Sequence, residues 1–212
     1  MLGCLRKLGQ LFFYANEIAI LEIIKFFTII IEVPLIYVYN GRMTASEALD
    51  KLLPAYSGYY TIKKENVTSP FNAEAEFTCH TENYVLVKAA KIADIDSNEF
   101  VYFSTQQSLD SFLLSELSNI AWKAGLERIK PYYGHRNSDV TLIVITESGS
   151  GDLKKAARKL HMSKDYKFGI YGWSNFKLCV LDLSVRKAFS NYHGSDIKKI
   201  LYKLGLSSCK WH

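Results

Sequence analysis

Cysteine and proline are both scarce in this chain, four of each in 212 residues. The cysteines, Cys4, Cys79, Cys179 and Cys209, stand far apart and none belongs to a C-x-x-C pair. Disulfide scaffolds and structural zinc sites need clustered spacing, so neither is expected. Cys79 and Cys179 sit in apolar runs and read as small core hydrophobes, which fits a reducing, cytoplasmic compartment. The histidines, His80, His135, His161, His193 and His212, include no i, i+4 pair of the kind that holds a metal on a helix. A G-x-S-x-G elbow is missing, as are a complete phosphate loop and the third glycine of a dinucleotide fingerprint. These absences leave no catalytic residue, metal ligand or cofactor to assign, and they lean the reading away from an enzyme.

What is present is an ordinary globular balance, 49% hydrophobic and 22% charged, at a length that fits one domain. Internal repeats and low-complexity linkers are lacking. The net charge of +5 is unevenly spread. Residues 43–150 carry nine Lys+Arg against fourteen Asp+Glu, whereas residues 151–212 carry thirteen against four. Such asymmetry hints at an anionic partner, with lysine-rich solvated helix faces as the plainer explanation.

Residues 11–39 are strongly apolar, yet Glu17, Glu22, Lys25, Glu32 and Pro34 interrupt them. A central charge costs about 2.5–3.5 kcal/mol and each aliphatic returns only about 0.3–0.6 kcal/mol, so spanning a bilayer is near break-even or unfavourable. Residues 1–42 therefore read as an apolar extension. It is either a helix docked on the domain or on a membrane surface, or the product of a mis-assigned start upstream of Met43. Membrane contact is expected only if 11–39 is a real amphipathic segment, and peripheral association is then the alternative to a cytoplasmic location.

From Met43 onward the signals are those of an independent domain. Thr44-Ala45-Ser46-Glu47 is a capping box, and Ala48, Leu49, Leu52 and Leu53 follow at helical spacing up to Pro54. Strands are expected at Tyr59–Lys63, Ala73–His80, Tyr84–Ala93 and Glu99–Ser104, with Asp94–Asn98 as a turn. A helix with Ser108 as N-cap should bury Leu109, Phe112, Leu113, Leu117, Ile120, Ala121 and Ala124. Val140–Thr146 reads as a strand buried on both faces. A helix over Leu153–Leu160 comes next, then strands at Lys167–Tyr171, Phe176–Leu183 and Lys187–Ser190. Ser195 caps a last helix that Gly205 ends. The order predicts one α/β (α+β) domain over residues 43–212, a mixed, largely antiparallel sheet with helices packed against it.

Candidate chemistry is thin. Glu147-Ser148-Gly149-Ser150-Gly151-Asp152 has the outline of a phosphate loop, but Glu147 and Asp152 put negative charge where a phosphate would lie. The order helix, three strands, helix, strand matches a restriction-type nuclease core. Leu86, however, stands where an acid is needed before Lys88, and Glu74 with Glu76 fits the polar face of a half-buried strand. Two segments are aromatic, polar and irregular together: residues 131–139, with His135, Arg136 and Ser138, and residues 166–175, with Tyr171 and Trp173. They are the candidate ligand or partner surface. The plainer alternative is a strand bend at Gly169 and Gly172 with Trp173 as a core anchor.

Phe168-Gly169-Ile170-Tyr171-Gly172-Trp173, Asp182-Leu183, Asn191 and Gly194 together resemble a family of uncharacterised bacterial and archaeal proteins, a domain of unknown function. The family is similar also in a pattern like His135, Ser138 and Thr141. The resemblance covers roughly Met43 to Gly205, implies no activity, and supports treating residues 1–42 as an extension.

The leading expectation is an uncharacterised, non-enzymatic binding or interaction domain with a protein or other partner. One alternative is polyanion or nucleic-acid binding through a patch made by Lys154, Lys155 and Arg158 on one helix and Lys198, Lys199 and Lys203 on the last, if both lie on one side of the sheet. The other is a hydrolase using the His135 loop, which requires a cleft where His135 meets a carboxylate.

Overall fold

A computed structural model of the protein describes residues 43–84, 91–133 and 135–208, with the backbone alone for residues 78–84 and 91–97. The apolar extension, Leu86, Lys88, Cys4, Cys209, His212 and the side chains of Cys79 and His80 lie outside it.

Helix α1 (Ala45–Leu52) begins at the capping box read from the sequence. The Thr44 hydroxyl accepts from the Glu47 N–H, and the Glu47 carboxylate accepts from the Thr44 N–H. Glu147 adds a third acceptor by taking the Ala45 N–H. A 3₁₀ turn carrying Pro54 ends the helix. Strand β1 (Thr61–Lys63) pairs antiparallel with β2 (Ala73–Tyr84), and β2 with β3 (Lys91–Leu109). Helix α2 (Ser111–Arg128) crosses to β4 (His135–Gly149), which runs parallel to β3. Helix α3 (Leu153–Lys159) leads through β5 (Ser163–Asp165) to β6 (Trp173–Asp182), parallel to β4. Strand β7 (Lys187–Ser190) returns antiparallel on β6, and helix α4 (Ile197–Lys203) follows.

Among the described residues these strands form one mixed, mostly antiparallel sheet of seven, ordered β1-β2-β3-β4-β6-β5 with β7 also on β6. Helices cover both faces, which is why Val140–Thr146 is buried throughout. On one face, α1 and α4 pack on Ala73, Val101, Phe103, Ile143, Cys179 and Leu181. On the other, α2 and α3 pack on Tyr102, Leu142, Val144, Phe176, Leu178 and Val180. The single α/β domain is therefore as expected.

Several local expectations need correction. Asp94–Asn98 is no turn. It lies inside β3, paired with β2 on one side and, from Asp96 onward, with β4 on the other. Two ladders outweigh the turn-forming composition. The expected strand Tyr84–Ala93 falls partly on residues 85–90, outside the described residues. Asp110, not Ser108, caps α2 by accepting from the Leu113 N–H, and Ser108 and Leu109 belong to β3. The buried stripe is Leu114, Leu117, Ser118, Ala121 and Gly125, and Phe112, in the first turn after the cap, points outward at 75% exposure. Asp196 rather than Ser195 caps α4. Lys167–Tyr171 is a tight loop rather than a strand, because Lys167, Phe168 and Gly169 all take positive φ.

Candidate functional site

The two irregular segments meet at one end of the sheet. β5 and β6 form an antiparallel hairpin, with Asp165 opposite Trp173, and residues 166–172 are its loop. Parallel pairing of β6 with β4 sets Trp173 beside Asn137 and Ser174 beside Ser138. Two residues of β4 answer one step on β3 between Asp96 and Ser97, so Arg136 is an extra, bulged residue. The bulge interrupts the alternation of β4 and lets His135 reach Ser138 three residues on.

His135 is buried, and both ring nitrogens are engaged. Nδ1 lies 2.9 Å from the Tyr171 carbonyl and Nε2 lies 2.8 Å from Ser138 Oγ. A carbonyl only accepts, so Nδ1 carries the proton, and in the neutral ring Nε2 accepts from the Ser138 hydroxyl. Beside them Tyr166 Oη and Ser174 Oγ are 3.0 Å apart. The rings of Tyr132 and Tyr166 approach His135 at 6.1 and 6.2 Å. Gly172 completes the joint: at φ +79° its α-carbon faces the backbone carbonyls of His135 and Arg136, where a side chain would collide.

The outcome is a clamped loop. Five of its backbone N–H groups bond within it: Tyr171 and Gly169 donate to the Tyr166 carbonyl, Tyr166 to Gly172, Ile170 to Lys167 and Gly172 to Gly169. Lys167 and Phe168 hold left-handed backbone at φ +47° and +57°, at about 1–2 kcal/mol each for non-glycine residues. Phe168 is fully exposed and Ile170 is 63% exposed. Tyr132, Tyr133 and Trp173 are exposed as well, so Trp173 is not a core anchor. Of the sequence candidates, His135 and Ser138 are buried struts, Tyr171 supplies a carbonyl, and Arg136 and Trp173 face solvent.

The His135–Ser138 pair has the hydrogen-bond order of a base and a nucleophile, oriented here by a carbonyl instead of a carboxylate. Ser138 is wholly buried, however, and the cavities lined by Ser108, Leu113 and Ser150, and by Ser46, Asp50, Asn72 and Thr105, lie elsewhere. Thr141, the third residue of the pattern, points to the opposite face.

There a second polar cluster was missed from sequence. Glu99 accepts from Tyr60 Oη and Thr141 Oγ1 at 2.6 Å each, and Lys177 Nζ lies 3.3 Å from Glu99 and 2.9 Å from Asp139. Burial works against the Lys177 charge, but Glu99 and Asp139 more than offset it and raise its pKa above the ordinary value. Burial, and then Glu99, push the Tyr60 hydroxyl far above its usual range. The cluster stands on β3, β4 and β6, whose parallel register no local motif announces. The Lys177 ammonium occupies the space between the two carboxylates that a cation would need. No group of three or more His, Cys, Asp or Glu side chains placed to hold a metal occurs among the described residues.

Other candidates resolve into structural roles. Arg128 pairs with Glu74 and Glu76 beneath α2 and so engages the two acids considered for a nuclease. Glu147 of the phosphate-loop outline caps α1. The two lysine sets do not share a side. Leu153 and Ala157 dock α3 on one face of the sheet and Ile197 and Leu201 dock α4 on the other. Lys154, Lys155 and Arg158 are thus on the opposite side from Lys198, Lys199 and Lys203.

A family model described as Domain of unknown function (DUF8052) matches residues 44–203. The chain belongs to this family. The DUF8052 match begins at the N-cap of α1 and ends with α4. No curated protein and no solved structure matches the chain. Two residues that carried the resemblance have a structural explanation in this DUF8052 domain. Asn191 accepts from the Leu178 and Gly194 N–H groups and donates to the Phe176 and Leu160 carbonyls. All four capacities of its amide are used to tie the chain after β7 to β6. Gly194 presses against the Leu178 backbone, where a Cβ would collide. Among the described residues no helix is long and apolar enough to cross a membrane.

Proposed function

We propose that this DUF8052 domain is a non-enzymatic interaction module whose partner surface is the aromatic tip at the β5–β6 loop. Phe168 and Ile170 form its apex, Trp173 closes the loop, and Tyr132 stands against His135 at its foot. The observation that carries the reading is the clamp. His135 uses both buried nitrogens to fasten a loop whose backbone is held left-handed at Lys167 and Phe168, and that loop ends in a fully exposed phenylalanine. Strain kept by surrounding structure points to function at the strained segment. Two hydrogen bonds at about 1 kcal/mol net each are of the size needed to offset much of that strain. A large apolar side chain fixed in water favours nothing in folding, whereas a preorganised one lowers the ordering cost of binding. A cytoplasmic location fits this reading.

The test is photocrosslinking of the full chain in cell extract, with a photoreactive phenylalanine analogue at position 168 and, for comparison, at position 112, an exposed phenylalanine far from the tip in sequence. Discrete adducts, to protein or to lipid, from position 168 and none from 112 are expected in extract that keeps its membranes. Equal labelling from both positions, or none from either, would remove the tip as the partner surface.

A further inference from the structure

Resting on that reading of the tip, we infer that its partner is the surface of an anionic phospholipid bilayer. The apolar apex is small: Phe168 is fully exposed, Ile170 is 63% exposed, and the two are separated only by Gly169. A protein partner of usual interface size needs a broader patch, whereas an interface-inserting loop needs only one or two large side chains at its apex. Aromatic residues with a polar edge stand at the foot of the loop, Trp173 at its end at 40% exposure and Tyr132 against the His135 ring at 42%, as side chains that settle at headgroup level do. The charge around the loop is of one dominant sign. Among the described side chains of the loop and its hairpin, Lys164 and Lys167 are exposed beside the acid Asp165, and Arg136 is exposed on the adjoining start of β4. Lys167 Nζ rests 4.5 Å above the Tyr171 ring and Lys164 Nζ 5.5 Å from the Tyr166 ring, so both cations are held over the base of the loop. Cations behind an apolar apex match anionic headgroups above acyl chains, since each basic residue near such a surface adds attraction that salt screens. The clamp fits this role, because a loop that enters a bilayer must bond most of its own backbone, and the N–H groups of Tyr166, Gly169, Ile170, Tyr171 and Gly172 all bond within the loop.

Co-sedimentation of the full chain with phosphatidylcholine vesicles, with and without phosphatidylserine, tests this. The wild-type chain should favour the phosphatidylserine vesicles and lose that preference as salt rises. Phe168→Ser with Ile170→Ser should lower partitioning at least about tenfold. Lys164→Glu with Lys167→Glu should lower it on phosphatidylserine vesicles by more than about tenfold and on phosphatidylcholine alone very little. Phe112→Ser should change nothing, and circular dichroism should show all variants folded. Failure of the wild-type chain to favour phosphatidylserine, or tip variants that bind as the wild type does, would overturn the lipid assignment. Protein adducts from position 168 in the photocrosslinking experiment, with vesicles ignored, would overturn it while leaving the tip as a protein-binding surface.

Discussion

His135 and Tyr171 are 36 residues apart in sequence, and a single hydrogen bond of 2.9 Å from the imidazole Nδ1 to the Tyr171 carbonyl joins the start of β4 to the β5–β6 loop. Its other nitrogen is anchored on Ser138, within its own strand. Replacing His135 by Ala leaves a half-buried carbonyl and a buried hydroxyl without this partner, at about 1–3 kcal/mol. Amide hydrogen exchange over residues 166–172 should accelerate more than exchange in β4 or β6. Uniform acceleration across the domain would show that the histidine is a core residue and not a clamp.

Two glycines of that loop should respond differently to substitution. Both have positive φ, +84° at Gly169 and +79° at Gly172. A Cβ at Gly169 meets open space, so Gly169→Ala carries only the backbone cost of about 1–2 kcal/mol. A Cβ at Gly172 collides with the His135 and Arg136 carbonyls, so Gly172→Ala must also part the loop from β4. Thermal unfolding should fall clearly further for Gly172→Ala, and equal losses would contradict the packing described here.

The contrast shows what could be read in advance. Local rules located the Thr44–Glu47 capping box, the buried run of β4 and the Gly205 stop, because each depends on neighbours in sequence. The meeting of residues 131–139 with 166–175 was legible only as two unusual segments, since their contact follows from the parallel pairing of β4 with β6. Glu99, Asp139 and Lys177 carried no signal at all, being isolated charges until three strands align. Phe112 misled because the helix is capped two residues later than expected, at Asp110, which leaves Phe112 in the exposed first turn of α2.

Alkaline pH should weaken the fold through the Lys177 cluster. The folded pKa of Lys177 is raised above 10.5, and that of Tyr60 above 10.0. Both groups therefore hold protons in the folded state that the unfolded chain releases, so their contribution is intact below about pH 10 and lost as pH climbs beyond it. Each such group adds up to about 1.4 kcal/mol of lost stability per pH unit in that window. Denaturant midpoints between about pH 8 and about pH 11 should be level at first and then fall, with a shallower fall in Tyr60→Phe. The same fall in the variant would separate Tyr60 from the effect.

Residues 43–212 should fold without residues 1–42. The described core draws on α1 to α4 and on every strand but β5, and α1 has its own complete cap. A fragment beginning at Met43 should unfold cooperatively near the temperature of the full chain. An insoluble or non-cooperative fragment would make the extension part of the core.

The central claim is that the His135 clamp presents the tip to a partner, and the yield of photoadducts from position 168 measures it most directly, compared between the chain with His135 and the folded His135→Ala variant. The account predicts that adducts, abundant with His135 present, fall severalfold once the loop is released. Equal yields with and without His135 would contradict it.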